Sequence, residues 1–446
     1  MMVGGIDLIS ISYIALYSII WWLTFRYYVK NRGLIRTGGV VILLFCIYST
    51  ASVLLYLDTG RGLQFSSYDL SLFPLLYLYT MIIISMYPLI KFDANKVKTL
   101  KSNNYIVIDS LAVIFIISSL LNIPSIVTNI QSGLSMILAQ SAGGLDIYND
   151  TVSQGMDELG NRSISNIPSI LINVLTNIAI LIFCFNVATR RRRKMTFILL
   201  FSLAVIPFYH LSRAQRGPAL EVPLVLVASF LLFWPWYSDM LRRKAITLLI
   251  CGVISFSIPF FAISHSRFDR SEGGVNSSFI SYIGQENLNF DIYAFDNGGL
   301  RYGDRCFPMF KEILGFENVP KSFWERRLKY PNLRINDEVF IGYVGDFCLD
   351  FGPFIPPIIF ILFCILFTKG TRIRNGCISF SQLLILQFLI VLGVNGGMKL
   401  FPFADLNGLQ LIAIVLVYYA SKIKIKSNFS NNPIYYRHNS LKCNEY

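Results

Sequence analysis

Long apolar stretches, separated by polar connections, dominate the hydrophobic pattern of this chain. Each is close to the length of about 20 residues at which an apolar helix can cross the hydrocarbon core of a membrane. Eleven such stretches run approximately over residues 6–25, 40–57, 71–90, 105–123, 167–188, 195–211, 218–237, 245–264, 351–368, 377–394 and 406–425. The pattern predicts an all-α polytopic membrane protein with about 11 transmembrane helices.

The Lys and Arg residues are distributed unevenly over the connections between these stretches. Alternate connections and the carboxyl-terminal segment hold 24 of the 39 basic residues. Because cytoplasmic connections are enriched in Lys and Arg, we expect these connections to face the cytoplasm and the amino terminus to lie outside. We therefore predict a single transmembrane domain over residues 1–420 and a cytoplasmic tail over 421–446. The first stretch has no basic residue before it and no cleavage site after it, so we expect a span and not a removable signal peptide.

Two of the outer connections are long. Residues 124–166 contain four apolar side chains at a strict spacing of four residues: Ile126, Ile130, Leu134 and Leu138. This spacing predicts a helix that lies in the plane of the membrane interface. Residues 265–349, here called the large connection, precede the ninth span and contain most of the side chains that suit chemistry.

The composition narrows the class of protein further. Of the 446 residues, 54% are hydrophobic and only 15% are charged, and the mean hydropathy is +0.55. Soluble domains carry about a quarter charged residues, so this composition excludes a water-soluble enzyme. The net charge of +13 reflects the basic cytoplasmic connections, whereas the large connection holds 10 basic and 12 acidic residues. We therefore expect membrane lipids, and no nucleic acid, as partners.

The cysteines and histidines give no metal motif. Neither the 8 cysteines nor the 3 histidines have the spacing of metal ligands, so we expect no metal and no other cofactor. Cys306 and Cys348 share the outer side, where a disulfide between them is permitted but is not fixed by the sequence.

A short outer turn between the sixth and seventh spans carries the sequence Ser-Arg-Ala-Gln-Arg-Gly-Pro at residues 212–218. If the turn is helical, the three-residue spacing places Arg213 and Arg216 on one face of it, next to a helix amino terminus. Guanidinium groups at such a terminus suit a pyrophosphate. The alternative is that both arginines only anchor helix ends at the lipid headgroups, with Glu221 neutralising one of them.

Further arginines lie in the large connection. Arg267 and Arg270 follow the eighth span directly, beside His265, at the membrane depth of the first pair. Two arginine pairs at one interface favour an anion site. Arg301 and Arg305 are candidates for substrate binding, although for these two we expect a solvated loop surface with local ion pairs.

Aromatic and acidic residues of the large connection are candidates for contacts with sugar. Tyr302, Trp324 and Tyr343 have aromatic faces that sugar rings can contact, and packing inside the connection is the alternative for each. Asp346 and Asp350 are four residues apart and face one way on a helix. Four roles are open to them: binding substrate hydroxyls, pairing with arginines, acting as a base, and capping a helix or anchoring the loop.

These features together resemble the bacterial O-antigen polymerases, also called oligosaccharide repeat-unit polymerases. The resemblance rests on the span pattern, Ser-Arg-Ala-Gln-Arg-Gly at 212–217, the large connection, and the Gly-Tyr, Asp-Phe and Asp-Phe-Gly sequences within 342–352. It is clearest over residues 195–367. It implies a membrane glycosyltransferase fold of the C type (GT-C) in the bacterial inner membrane, with the large connection in the periplasm.

The resemblance also implies a reaction. A growing glycan leaves its undecaprenyl-pyrophosphate carrier and joins the end of a new lipid-linked repeat unit, without metal or nucleotide sugar, as part of lipopolysaccharide biosynthesis. The functional arginines of the family would correspond to Arg213, Arg216, Arg267 and Arg270. Glu221, His265 and Asp346 are the candidates for the base that takes the proton of the attacking hydroxyl. The implied partners are the undecaprenyl-pyrophosphate-linked oligosaccharide, a chain-length regulator and a flippase.

Three other functions stay open. An O-antigen ligase carries a histidine motif within its large outer loop, whereas His265 stands at the very start of the large connection. A flippase or polysaccharide exporter would have more spans, shorter loops and charged residues deep in the membrane. A structural membrane protein would not need two arginine pairs at one depth.

Overall fold

A computed structural model of the chain describes residues 2–3, 6–33, 36–58, 62–139, 166–212, 216–247, 274–320, 323–334, 339–397, 399, 403–423 and 435–436. These residues are mostly helical. The helices discussed here are α1 (Leu8–Arg32), α2 (Thr37–Tyr56), α3 (Leu63–Ser66), α4 (Leu72–Lys91), α5 (Tyr105–Ala139), α6 (Ile167–Thr189), α7 (Arg193–Ser212), α8 (Arg216–Leu232), α9 (Gly274–Asn289), α10 (Pro308–Ile313), α11 (Phe323–Lys329), α12 (Gly342–Phe351), α13 (Ile355–Gly370), α14 (Phe380–Asn395) and α15 (Asp405–Ala420). The strands are β1 (Met2–Val3), β2 (Ile6–Asp7), β3 (Thr99–Lys101), β4 (Cys377–Ser379) and β5 (Tyr435–Tyr436).

Six of these helices are long and apolar enough to cross a membrane. They are α1, α2, α4, α5, α6 and α7, and they coincide with the first six predicted spans. Four shorter apolar helices, α8, α13, α14 and α15, coincide with the seventh, ninth, tenth and eleventh. The class of helical membrane protein is thus supported. The predicted eighth span, residues 245–264, lies almost wholly outside the described residues, so the count of eleven stays a prediction.

A three-stranded sheet joins segments that the charge pattern assigns to one side of the membrane. One of its strands, β4, occupies the first three residues predicted for the tenth span, and α14 begins directly after it. β3 pairs parallel with β4 and antiparallel with β5. β3 follows the third span and β4 follows the ninth. β5 belongs to the carboxyl-terminal tail. Their pairing places all three segments on one side, and the assignment of that side to the cytoplasm stays a prediction.

The pairing of β3 with β4 also limits the number of membrane crossings between them. Two strands on the same side are separated by an even number of crossings. Between β3 and β4 the described residues contain five of the ten apolar helices that coincide with predicted spans: α5, α6, α7, α8 and α13. When each crosses once, a sixth crossing is needed, and the apolar residues 245–264 are long enough to supply it.

The chain divides into two compact units, each built from segments that are distant in sequence. The first comprises Met1–Phe92, Ser271–Gly370 and Leu389–Leu411, and the rest of the chain forms the second. In the second unit, α5 packs against α6 and α7, and α8 packs against the same two helices. Both units contain apolar spans, and the single transmembrane domain over residues 1–420 stays a prediction.

The interface helix expected within residues 124–166 does not begin as a separate element. Helix α5 continues without interruption through Pro124 to Ala139, a length of 35 residues. Proline removes one backbone donor but does not end the helix here, because the residues after it continue the apolar helical pattern. The described part of this connection is therefore an extension of the fourth span, and residues 140–165 lie outside the described residues.

The large connection contains a polar helix, α9, that docks against two apolar helices of the first unit. Ser52 Oγ on α2 donates to the carbonyl oxygen of Gly284 at 2.6 Å, and Asn287 Nδ2 donates to Ser52 Oγ at 2.9 Å. The Tyr17 hydroxyl on α1 donates to Asn287 Oδ1 at 3.0 Å. A Cβ at Gly284 would lie 2.5 Å from the carbonyl oxygen of Ala51, so only glycine permits this close approach.

Candidate active site

Several of the predicted site residues are not placed by the structure. Four of them lie outside the described residues: Arg213, His265, Arg267 and Arg270. Arg216 begins α8 and Trp324 lies in α11, but the structure does not describe the side chain of either residue. Glu221 lies in the second turn of α8 with its side chain half-buried. The roles proposed for these residues therefore stay predictions.

A buried ion pair lies within the described part of the large connection. Arg305, in the turn of residues 301–306, donates from Nε to Oδ1 of Asp346 on α12 at 2.5 Å. The two side chains are 1% and 2% exposed. Burial raises the pKa of Asp346 above its ordinary value, although the charge of Arg305 acts in the opposite direction. Removing either partner of such a pair leaves an uncompensated buried charge.

Asp350 lies one helical turn after Asp346 on α12. Its two carboxylate oxygens accept the backbone N–H groups of Arg305, at 3.1 Å, and Cys306, at 2.6 Å. The backbone of the same turn, residues 301–306, also donates to carbonyl oxygens at the end of α12. Asp346 and Asp350 thus share one helix face, as their spacing predicted. Asp346 pairs with an arginine, and Asp350 anchors the loop.

Three buried arginines belong to this region: Arg301, Arg305 and Arg326, here called the arginine cluster. Their side chains are at most 4% exposed. Burial lowers the pKa of Arg301 below its ordinary value, and the positive charges of Arg305 and Arg326 lower it further. Asp350 and Asp346 act on Arg301 in the opposite direction. The cluster therefore gathers three positive charges around two carboxylates in a region from which water is excluded.

The expectation of a solvated surface for Arg301 and Arg305 is wrong. Arg301 is 2% exposed and Arg305 is fully buried. The physical reason is the turn of residues 301–306, whose backbone is held against α12 and carries both guanidinium groups inward. Arg326 was not singled out from the sequence, because its burial depends on the packing of the short helix α11 and not on a local pattern.

Asp304 connects the same turn to two short helices. Its buried carboxylate accepts hydrogen bonds from Lys311 on α10, from Lys329 Nζ on α11 at 2.6 Å, and from the Tyr330 hydroxyl at 2.7 Å. Burial alone would raise the pKa of Asp304, but the hydrogen bonds from Lys311, Lys329 and Tyr330 outweigh it and hold the pKa below its ordinary value. Asp304 therefore fixes α10 and α11 relative to the turn that carries Arg305.

We expect Asp304→Asn to lower the free energy of unfolding by about 2–3 kcal/mol, because two lysines lose a buried carboxylate partner. Thermal unfolding of the purified protein in detergent measures this change. Asp296→Asn is the matched control, since Asp296 is 76% exposed and lies 3.9 Å from Arg334. For the control we expect a change of no more than about 0.5 kcal/mol. Equal losses in both variants would contradict the role given to Asp304.

The same ion pairs make the stability depend on pH in a defined direction. The pKa of Asp304 lies below its ordinary value of 3.8 in the folded protein. Its contribution is therefore fully present well above pH 3.8 and is lost as the pH falls through the lower folded value. The difference in unfolding free energy between the wild type and Asp304→Asn should shrink progressively as the pH is lowered through this range.

The other candidates in the large connection have clear positions. Tyr343 is buried, shares a hydrogen bond of 2.5 Å with Ser85 Oγ and packs edge-on against Phe360, so it packs in the core and does not offer an open sugar-binding face. Tyr302, by contrast, is 68% exposed and open to a ligand. Cys306 and Cys348 are buried free thiols, so the permitted disulfide is not formed.

One buried carboxyl near this site was not singled out from the sequence. Glu286 on α9 is 1% exposed and interacts electrostatically with Asp346. Gly342, the first residue of α12, and Gly397 lie directly against its carboxylate, because a Cβ at either position would overlap a carboxylate oxygen. Among the described residues, none donates a hydrogen bond to Oε2 of Glu286. No local pattern marks Glu286, because its burial follows from the docking of a polar helix.

Comparison of the chain with models of protein families, with curated proteins and with solved structures finds no significant match. In the described ranges, no three His, Cys, Asp or Glu side chains are grouped so that they could hold a metal ion.

Proposed function

We propose that this chain is a membrane glycosyltransferase that joins lipid-pyrophosphate-linked oligosaccharide repeat units into a polysaccharide, as O-antigen polymerases do. The observation that supports it is the arginine cluster, which lies in the large connection of a helical membrane protein, beside Asp346 and Asp350 of α12. The proposal includes eleven spans, a fold of the C type and the bacterial inner membrane as location. The large connection would then face the periplasm, where the lipid-linked substrate is used.

The arginine cluster suits a leaving group that gains negative charge. Transfer of a glycan from a lipid pyrophosphate breaks the bond between the anomeric carbon and a phosphate oxygen, so charge grows on the pyrophosphate in the transition state. Positive groups that are fixed in a water-poor site stabilise this developing charge more than the initial charge. Guanidinium groups also bind phosphate oxygens through paired hydrogen bonds.

The carboxylates of α12 keep the cluster in place before substrate binds. Asp346 holds the guanidinium of Arg305 through Nε, and Asp350 holds the backbone of the same residue. Preorganisation of this kind matters, because a group that must reorient during the reaction loses part of its stabilising effect. Tyr302, exposed at the edge of the same turn, offers an aromatic face to a sugar ring.

Replacement of Arg326 by alanine tests the proposal in the cell. We expect the variant to insert normally but to leave surface glycan mainly as single repeat units, with polymerisation reduced about 10²-fold, because one of three charges that stabilise the leaving group is lost. Arg326→Lys should restore little activity, since an ammonium group cannot make the paired contacts of a guanidinium. The distribution of glycan lengths, separated on a gel, gives the readout.

The matched control is Arg334→Ala, which removes the same charge from an exposed position of the large connection. The Arg334 side chain is 63% exposed, and it lies 3.9 Å from Asp296. We expect normal glycan lengths from this variant. Normal glycan lengths from Arg326→Ala, at a normal amount of inserted protein, would count against the cluster as the pyrophosphate site.

A further inference from the structure

Two glycines lie against the carboxylate of Glu286. Its carboxylate faces Gly342 at the start of α12 and Gly397 beyond α14. A Cβ at Gly397 would overlap Oε2 of Glu286 and would also lie 2.9 Å from a ring carbon of Tyr48. Gly342 has a φ of +68°, a backbone conformation that favours glycine. Two glycines therefore make the space that the carboxylate fills.

Three tyrosine hydroxyls interact electrostatically with Glu286, yet each has a hydrogen-bond partner elsewhere. Tyr17, Tyr48 and Tyr343 all interact electrostatically with the carboxylate. The Tyr17 hydroxyl donates to Asn287 Oδ1, the Tyr48 hydroxyl donates to the carbonyl oxygen of Val394, and the Tyr343 hydroxyl is bonded to Ser85 Oγ. Buried polar atoms in folded proteins are nearly always hydrogen-bonded, so a carboxylate oxygen left without a donor calls for an explanation.

The position of Glu286 relative to the arginine cluster supplies that explanation. Glu286 lies against residue 342 of α12, and Arg305 is bonded to Asp346 one helical turn further along the same helix. Adjacent turns of a helix are separated by about 5–6 Å. Glu286 therefore lies close to the Arg305–Asp346 ion pair, and the negative charge of Asp346 acts on it.

Three other carboxylates of the large connection and of α12 already have partners. Asp346 is bonded to Arg305, Asp350 accepts two backbone N–H groups, and Asp304 binds two lysines. These contacts already engage the three carboxylates, whereas Oε2 of Glu286 accepts no hydrogen bond from any described residue. Burial raises the pKa of Glu286 well above its ordinary value, and the negative charge of Asp346 raises it further. A raised value is typical of carboxylates that accept protons near neutral pH.

We propose that Glu286 is the general base of the transfer reaction and binds the attacking hydroxyl of the acceptor sugar through Oε2. This assignment rests on the proposed function. The acceptor oxygen forms a bond to the anomeric carbon of the donor glycan while its proton passes to Glu286. The bond between the anomeric carbon and the lipid pyrophosphate breaks, and its electron pair remains on the pyrophosphate oxygen, next to the arginine cluster.

Glu286→Gln tests the assignment in purified protein that is reconstituted into vesicles with a synthetic lipid-pyrophosphate-linked repeat unit. The amide fills the same space and matches the uncharged form of the carboxyl, so we expect the fold and the KM for the lipid-linked substrate to be kept. The rate of bond formation should fall about 10²-fold or more. The wild-type rate should rise with pH as Glu286 ionises, and this rise should be absent from the variant. Among the described residues, Asp346 acts electrostatically on Glu286, and the titratable groups on which Glu286 acts are Tyr17, Tyr48 and Tyr343.

Two further variants make the outcome decisive. Glu312→Gln neutralises an exposed carboxylate of the same connection and should keep the wild-type rate and pH profile. Glu286→Asp keeps a carboxylate with a shorter reach, and we expect slow polymerisation that still rises with pH. If Glu286→Gln polymerises like an active wild type, with an unchanged pH profile, the base is another residue and the proposed function stands. If the wild type forms no polymer at all, the proposed function fails, and the assignment of Glu286 fails with it.

Discussion

Arg305→Met should abolish polymerisation and also destabilise the fold, which is the largest effect that we expect from a single substitution. The Asp346 side chain is 2% exposed, and Arg305 Nε donates a hydrogen bond to its carboxylate at 2.5 Å. The substitution removes this guanidinium and leaves the carboxylate buried without its partner. Breaking a buried ion pair in this way costs about 3–5 kcal/mol. Thermal unfolding in detergent and the length distribution of the surface glycan measure the two effects separately.

The double variant Arg305→Met/Asp346→Leu separates stability from chemistry. Replacing both partners of a buried ion pair by apolar side chains is often neutral or stabilising, so we expect most of the lost stability to return. Polymerisation should stay absent, because no guanidinium remains at this position. A double variant that is stable and makes long glycan would show that Arg305 has only a structural role. A double variant as unstable as Arg305→Met would contradict the ion pair as the cause of the instability.

Gly342→Ala should give the second-largest effect, because the added methyl group displaces the Glu286 carboxylate. The new Cβ would overlap Oε1 of Glu286 and lie 2.7 Å from the carbonyl oxygen of Gly396. We expect a loss of about 1–3 kcal/mol from the overlap, in addition to the cost of a positive φ. Polymerisation should fall about 10²-fold if the displaced carboxylate is the general base.

Gly315→Ala is the matched control for the backbone conformation. Gly315 has a φ of +81°, close to the +68° of Gly342, but a Cβ there would meet no atom within 4 Å. It therefore carries the cost of a positive φ, about 1–2 kcal/mol, without the overlap. Equal stability and equal glycan lengths in the two alanine variants would contradict the close contact between Gly342 and Glu286.

The apolar spans could be predicted from the sequence, because the length of an apolar stretch is set by the thickness of the membrane. The four-residue spacing of Asp346 and Asp350 likewise predicted their shared helix face, since helical periodicity is a local property. The pairing of β3 with β4 was not predicted; it requires an even number of crossings between the two strands, and the six spans predicted there would satisfy it.

The burial of the polar groups could not be predicted from local patterns. Helix α9 has a low apolar content, and it docks against α2 only because Gly284 permits contact with the backbone of Ala51 and because Asn287 finds partners on both α1 and α2. The inward direction of Arg301 and Arg305 depends in the same way on α12, which follows about 40 residues later. These positions depend on contacts between residues that are distant in the sequence. The pattern of charges within a loop does not predict such contacts.

The most direct test of the central claim is polymerisation by the purified chain alone. The protein is reconstituted into vesicles with the lipid-pyrophosphate-linked repeat unit of its source organism, without nucleotide sugar and without other proteins. We predict a ladder of glycans that differ by one repeat unit, with one lipid pyrophosphate released for each bond formed. The contradicting result is an unextended repeat unit that is only carried across the bilayer, or that is transferred only when a lipid A core acceptor is added.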